Sequence, residues 1–353
     1  MNSLQRILHK PFFIRLFNWE YWPFNTVYFC IYPIWLALCL RSRSFFFFNA
    51  SNPGIEYGGF LMESKQKIYD IIPKKYVPKT ILIQVEEDEA TIIQKVRENG
   101  FKYPLIAKPD IGGRGRGVKK ICEESELVPY LKKFPLKMLI QELVEFENEL
   151  GIFYFRYPGA HKGNISGIVG KKFVEVVGDG KSTIEQLLQK EKRHILQLPN
   201  IRATIPEQLD LILQDGEHKI LVPYGNHARG ALFLDYSHLI DHDLEKFMNE
   251  ICLQIPDFYY GRLDIRYESL ELLKEGKNFS IIELNGAGSE PTHMYDPKNS
   301  IFDAWREITK HWRIMWKISR MNHKNGVDYM STADGIQMFR DNKRYNLILD
   351  NIM

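Results

Sequence analysis

Two short segments in the last third of the sequence combine residue types that bind hard cations and phosphate. Arg262-Leu263-Asp264-Ile265-Arg266 and Ile282-Glu283-Leu284-Asn285 alternate polar with apolar residues, the two-residue period of a strand buried on one face. Arg262, Asp264 and Arg266 would share one face, with Leu263 and Ile265 turned into a core. Glu283 and Asn285 would share a face, with Ile282 and Leu284 opposing them. If the two strands pair, two carboxylates and an amide oxygen converge beside arginine, a hard-oxygen set suited to Mg²⁺ held jointly with phosphate oxygens. Amphipathic strands with solvated polar faces are the plainer explanation for Asp-x-Arg alone, and the full constellation weakens it.

A second segment carries complementary chemistry. Lys108-Pro109 ends an apolar run from Pro104, and Ile111-Gly112-Gly113-Arg114-Gly115-Arg116-Gly117-Val118 follows. Glycines without side chains let backbone N–H groups close over phosphate, and the lysine supplies a fixed positive charge. The loop has neither the Walker nor the dinucleotide-fold spacing, and an Arg-Gly run also suits a flexible hairpin tip. Its placement between two strands is the stronger signal. No Ser-His-Asp or Cys-His arrangement suggests a protein nucleophile.

The elements that must position these residues read as an α+β chain. Strands are expected at Lys79–Val85, Pro104–Lys108, Gly117–Ile121, Met138–Val144, Glu149–Arg156, Lys171–Val177, within 207–235, and at 261–267 and 279–285. Helices are expected at Glu86–Glu98, 124–133, after the Ser182-x-x-Glu185 capping box, at 238–254 and at 300–321. The tail from Asn322 reads as polar and peripheral. With 353 residues, 44% apolar and 26% charged, the chain can bury a sizeable core, and a net charge of +3 gives no nucleic-acid footprint. Cys30, Cys39, Cys122 and Cys252 are scattered, without the spacing of a zinc site or a disulfide framework.

Residues 1–48 differ from the rest. They are dense in aromatics, carry Arg6, Lys10, Arg15, Arg41 and Arg43 against Glu20 alone, and hold no charge from Tyr21 to Leu40. Three readings stand: a spanning helix interrupted by Pro23, Asn25 and Pro33, a monotopic anchor with Trp19, Trp22 and Trp35 at the interface, or a hydrophobic hairpin packed on the main domain. The aromatic stripe Trp305, Ile308, Trp312 and Met315 poses the same choice between core and membrane contact.

In order along the chain, Pro104 to Pro109, the glycine hairpin, Gln141-Glu142, Glu149, Arg262-x-Asp264 and Glu283-Leu284-Asn285 resemble the ATP-grasp superfamily over about 80–300. The lysine and Glu-x-Asn strands resemble D-alanine–D-alanine ligases, and Val176 to Thr183 is similar to a segment of cyanophycin synthetases. The resemblance implies an ATP-grasp fold of two α+β lobes holding ATP between them. Its expected division is an aromatic segment at 1–50, a linker and short pre-ATP-grasp region at 51–88, the ATP-grasp domain at 89–321 and a polar tail at 322–353.

By the same resemblance, Lys108 binds the α- and β-phosphates, and Gly112, Gly113, Gly115 and Gly117 cover them. Gln141, Glu142 and Leu143 line the adenine pocket, and Glu149, or alternatively Glu147, holds the ribose. Asp264, Glu283 and Asn285 ligate two Mg²⁺, with Mn²⁺ as the alternative ion, and Arg262 and Lys108 form the catalytic pair. Lys171 or Lys172 reaches the γ-phosphate. The implied activity is a Mg-ATP-dependent ligase that activates a carboxylate as acylphosphate and joins it to an amine. The alternatives are an ATP-grasp kinase acting on a small molecule and a non-catalytic, membrane-associated ATP-binding protein. ATP and Mg²⁺ place the catalytic part in the cytosol, free or at the inner face of the membrane. D-alanine ligases have an N-terminal substrate domain where this chain has residues 1–50, and Gly286–Asp296 replaces the usual loop after the metal strand. Glu290 and His293 in that loop are candidates for substrate contact, and a satisfied loop histidine is the plainer reading of His293. The carboxylate and the amine cannot be read from these motifs.

Overall fold

A computed structural model describes residues 10–113, 115–222 and 230–352. The chain is α+β and divides into two compact units. The larger takes residues from 33–168, 236–291 and 308–353, and the smaller from 1–32, 169–235 and 292–307.

The larger unit begins with a four-stranded sheet of order β1-β4-β2-β3, made of β1 (Thr80–Ile83), β2 (Leu105–Pro109), β3 (Lys119–Ile121) and β4 (Met138–Glu142), each pair antiparallel. The helix Glu89–Glu98, capped by Asp88 accepting from the Thr91 N–H, lays Ile92 and Val96 on this sheet. The helix Glu124–Leu131 adds Leu127 and Val128. Leu349 is fully buried in the same cluster. The C-terminal tail is therefore not peripheral: Thr332–Ile352 is a helix anchored at Met338 and Leu349. Its apolar residues fall in two groups, around Ile336 to Phe339 and Tyr345 to Leu349, split by the charged run Arg340 to Arg344, so no continuous helical period stands out.

Next come β5 (Asn148–Phe155) and β6 (Asn164–Lys172), neighbours in a second sheet. The last four residues of β6 belong to the smaller unit. In that unit β7 (Val174–Val177) pairs with β8 (His218–Val222), while β9 (Leu232–Asp235) pairs with the end of β6. The capping box sits one residue beyond the expected position, with Thr183 and Gln186 exchanging hydrogen bonds ahead of the helix Ile184–Leu188. The helix Lys192–Thr204 lies inside a stretch without a clear sequence period. It buries Leu198 and Ile201 against Val174 and Val176.

The N-terminal aromatic segment contributes to both units. In the smaller, the helices Pro11–Phe17 and Phe24–Phe29 bury Ile14, Val27 and Tyr28, and the Trp305 indole N–H donates to the Val27 carbonyl. In the larger, Phe46, Phe47 and Phe48 are core, with Trp35 against Trp312 at a ring separation of 5.1 Å. These aromatic residues are core, divided between the two units rather than forming one hairpin on a main domain. Among the described residues no helix is long and apolar enough to cross a membrane, because the uncharged run breaks between Phe24–Phe29 and Tyr32–Ser42.

The chain returns to the larger unit with β10 (Tyr260–Tyr267) and β11 (Phe279–Asn285), giving the neighbour order β11-β10-β5-β6. One face of this sheet carries Leu150, Ile152, Leu263, Ile265, Ile281 and Leu284. It packs against the helix His242–Cys252 through Leu244, Met248 and Ile251, and against Ile68 and Ile72. The polar residues of β10 and β11 are left on the opposite face.

Candidate active site

The register of β10 and β11 sets the site. Arg262 lies opposite Asn285 and Asp264 opposite Glu283 across an antiparallel pair. On the other side of β10, Gly151 of β5 is the partner of Asp264, so that neighbouring position carries no side chain. Asp264 is buried and receives two hydrogen bonds from Arg262, Nε to Oδ1 at 2.8 Å and Nη2 to Oδ2 at 3.2 Å. The Arg262 Nη1 donates to the Glu290 carbonyl at 3.2 Å. This bidentate pairing fixes both the carboxylate and the guanidinium plane.

A bulge at Ile282 departs from strict alternation. Ile265 pairs with Ile281, so Ile281, rather than Ile282, joins Leu284 in the core while Glu283 and Asn285 keep their face. The bulged residue leaves its carbonyl outside the ladder, where it accepts a hydrogen bond from the Tyr69 hydroxyl. Tyr69 is buried, which holds its hydroxyl in the protonated, donating form.

Tyr69 also connects the two chemical segments. Lys108, buried at the end of β2, donates to the Tyr69 hydroxyl at 2.7 Å and to Gln141 Oε1 at 2.9 Å. The phosphate-binding candidate is thus two hydrogen bonds from the backbone of the metal-binding candidate. Burial lowers the Lys108 ammonium from its ordinary 10.5 to about 8, with the Glu283 charge opposing that shift. Gln141 is held in turn by Nε2 donating to the Thr80 hydroxyl at 2.7 Å. Glu142 is exposed and accepts from the Lys79 N–H. Leu143 beside it lines a cleft of about 450 Å³ with Lys79, Phe101 and Pro104. Glu149 is buried and lies 3.6 Å from the Arg266 guanidinium, whereas Glu147 is exposed. A larger cleft, about 640 Å³ between Lys75, Asp243 and Phe279, contains none of these residues.

The glycine hairpin is shaped by backbone geometry. Gly112, Gly115 and Gly117 all have positive φ, and a Cβ on Gly117 would meet Pro109 at 2.7 Å, so β2 and its return strand approach closely only with glycine there. Gly113 faces open space, and Arg114 lies outside the described residues. Arg116 pairs with Asp350 at 3.0 Å and with Asn346, both on the C-terminal helix. Lys65 donates to the Gly112 carbonyl.

Lys65, Tyr69 and Glu63 come from a segment expected to be linker. The Gly58 and Gly59 carbonyls accept from the N–H groups of Ala287 and Gly288, which docks this segment on the loop after β11. Glu63 follows Met62, which has φ 67°. One Glu63 carboxylate oxygen is buried without a hydrogen-bond partner, and its pKa is raised by burial, with Lys65 opposing and Glu283 reinforcing the shift. The sequence signal was Ser64, a helix N-cap, ahead of Ile68, Ile71, Ile72 and Pro73.

Other candidates belong to the smaller unit. Lys171 and Lys172 belong to the smaller unit, paired with Phe233 and Leu232, and are not brought to Lys108 within one unit. His293, also in the smaller unit, is buried with Nε2 3.3 Å from Glu307 Oε1, a partner that suits a satisfied loop histidine. Among the described residues no group of three or more His, Cys, Asp or Glu side chains is placed to hold a metal ion. The set in question is two carboxylates and an amide, and the Asn285 Nδ2 is buried with no protein partner. The oxygens of this set fit a hard divalent cation, and the unpartnered Asn285 N–H group calls for an acceptor such as a phosphate oxygen.

Among solved structures, the chain is similar to ligases and synthetases. These include a bifunctional glutathione synthetase from Pasteurella multocida (13% identity, TM-score 0.40, covering 71% of this chain and 35% of that one). They also include a D-alanine–D-alanine ligase from Bacillus anthracis (15% identity, TM-score 0.42, covering 74% and 69%) and a D-cycloserine synthetase (10% identity, TM-score 0.40, covering 70% of each chain). This chain spans about a third of the length of the glutathione synthetase. No protein-family model and no curated protein sequence matches it.

Proposed function

We propose that this chain is an ATP-grasp enzyme that activates a carboxylate with Mg-ATP and joins it to an amine. The observation that carries this reading is the register of β10 and β11. It sets Asp264 against Glu283 and Arg262 against Asn285, with Lys108 tied to the same strand through Tyr69.

Each residue then has a defined task. Lys108 meets the α- and β-phosphates as a cation whose burial costs proton affinity, a cost that phosphate charge offsets. Backbone N–H groups of Gly112 to Gly117 cover those phosphates, Gln141 to Leu143 border the base, and Glu149 receives the ribose hydroxyls. Asp264, Glu283 and Asn285 would hold Mg²⁺, or Mn²⁺ in its place, and the metal would neutralise phosphate charge. Arg262, already oriented by Asp264, steadies the transferring phosphoryl group and the anionic tetrahedral species formed when the amine attacks. The balance is a carboxylate oxygen displacing ADP from the γ-phosphorus, then the amine nitrogen displacing phosphate from the acyl carbon with loss of a proton.

Glu63 favours amide formation over phosphoryl transfer to a hydroxyl. A buried carboxyl with an unpartnered oxygen supplies a seat for the ammonium of an amino-acid-like substrate, whose charge would offset the burial that raises the Glu63 pKa. The test is a matrix of amino acids and small carboxylates scored for ADP formation, with product mass measured. ADP release that needs both partners and gives a condensed product is expected. A stable phosphorylated product without condensation would assign a kinase, and Mg-ATP binding without turnover on any pair would assign a nucleotide sensor.

A further inference from the structure

In the larger unit, the helix ending at Ser42 is apolar on two sides. Its inner side buries Leu38 and Cys39 in the aromatic cluster, and Trp35 rests on Phe47 at 5.0 Å. Its outer side presents Leu36 and Leu40, one turn apart, and Phe45 follows. Leu40 is 76% exposed and Phe45 59%. A helix with a second apolar face calls for a second apolar partner, and a contiguous patch of large side chains is unusual on a free surface.

The charges around this face identify the partner. No acidic residue occurs from Tyr21 to Ile55, and Arg41 and Arg43 are exposed at the end of the helix. The guanidiniums of Arg41 and Arg320 stand over the Trp316 ring at 6.0 and 4.8 Å, and the Trp316 indole N–H donates to the Ser42 hydroxyl at 2.9 Å. Apolar side chains bounded by cations and an indole with its polar edge satisfied match a bilayer boundary, where acyl chains lie beneath anionic headgroups. A second copy fits poorly. A two-fold contact through this patch would set Arg41 and Arg43 against their own copies, with no acid on the 21–55 segment to offset them.

The smaller unit shows the same chemistry independently. Phe12 and Phe17 are 68% and 67% exposed on the helix that carries exposed Arg15 and follows exposed Lys10, and Phe29 on the next α-helix is 75% exposed. Glu20, the one acid of residues 10–55, is turned inward onto Arg193.

We propose that the helix Tyr32–Ser42 docks the larger unit on an anionic lipid bilayer, with Leu36, Leu40 and Phe45 entering the acyl boundary and Arg41 and Arg43 meeting phosphate headgroups. The contact is peripheral and leaves the backbone fold intact. It does not depend on the ligase reading.

The test is flotation of the full chain, without ATP, on vesicles of phosphatidylcholine alone or mixed with phosphatidylglycerol. Wild type should float with the mixed vesicles, at least ~10-fold less with the neutral ones, and less as salt rises from ~0.1 to ~0.5 M. The triple variant Leu36→Ser, Leu40→Ser, Phe45→Ser should lose binding at least ~10-fold with an unchanged far-UV spectrum. Arg41→Gln with Arg43→Gln should weaken binding ~10-fold or more on anionic vesicles alone. Phe12→Ser with Phe17→Ser reads the contribution of the smaller unit. No flotation, equal flotation on both vesicle types, or full binding by the triple variant would overturn the proposal. So would a wild-type dimer in sedimentation that the triple variant disperses, since a second copy would then cover the face.

Discussion

The strand pair β10–β11 and the glycine hairpin after β2 both belong to the candidate nucleotide site, and they are held in different ways. Asp264 and Glu283 are fixed by a backbone ladder, a bidentate arginine and a core face of Leu263, Ile265, Ile281 and Leu284. The hairpin's positive-φ glycines have no ladder of their own, and it is tethered from outside by Lys65 and by Asn346 and Asp350. Groups that hold a cation need fixed spacing, whereas a phosphate cover must admit and release its ligand. The difference teaches that, under the proposed function, metal binding should be sensitive to single atoms and phosphate covering to tethers.

The largest expected effect lies on the rigid side. Glu283→Gln should lower ADP formation at least ~10³-fold, because removing a metal-ligating charge costs several kcal/mol of transition-state stabilisation. Its melting temperature should stay within ~2 °C of wild type, since a polar-face change leaves the core untouched. Wild-type rates would remove Glu283 from the site. Next, Lys108→Met should raise the ATP requirement ~100-fold, the scale of a lost charge-assisted phosphate contact. Tyr69→Phe should raise it less, because the lysine keeps Gln141. An equal effect in both variants would mean that Tyr69, and not the charge, sets the site.

Lys108 also gives a pH dependence with a defined sign. Its folded value, about 8, is below its ordinary 10.5, so burying the charge destabilises the fold below about pH 8. Between those values the unfolded chain binds more protons, and stability rises with pH across the window. Urea unfolding of wild type against Lys108→Met from about pH 7 to about pH 9.5 should show wild type gaining on the variant. Activity should move oppositely, with the ATP requirement climbing as the ammonium is lost. A flat difference between the two proteins would place Lys108 in a solvated environment.

The tethers should give the smallest kinetic change. Arg116→Ala and Asp350→Ala should each raise KM for ATP ~3- to 10-fold with kcat nearly kept, and the double variant should cost no more than Arg116→Ala alone, as expected for partners in one contact. By contrast, Leu349→Ala should cost ~2–5 kcal/mol of stability, because it leaves a cavity under the first sheet. Additive effects of the Arg116 and Asp350 changes would deny the tether.

What could be read in the sequence follows the same division. The alternation in 262–266 and 282–285 marks a half-buried strand pair, and Arg262, Asp264, Glu283 and Asn285 could be placed on one face before any coordinates. The bulge at Ile282 leaves no mark in a two-residue period, so neither the move of Ile281 into the core nor the carbonyl freed for Tyr69 was legible. Lys65–Ile71 is too short a helix for its period to rise above the surrounding turns, and its role comes from contacts distant in sequence. The C-terminal helix hides its anchors in a polar segment, and only the folded chain shows Leu349 under the sheet and Asp350 at Arg116.

The central claim is that Lys108 and the paired strands form one Mg-nucleotide site. Calorimetric titration of ATP into wild type and into Asp264→Asn with Glu283→Gln, with and without Mg²⁺, tests it directly. Wild type should bind ATP at least ~10-fold more tightly with Mg²⁺ than without, and the double variant should lose that difference while staying folded. Equal Mg²⁺ dependence in both proteins would contradict the account.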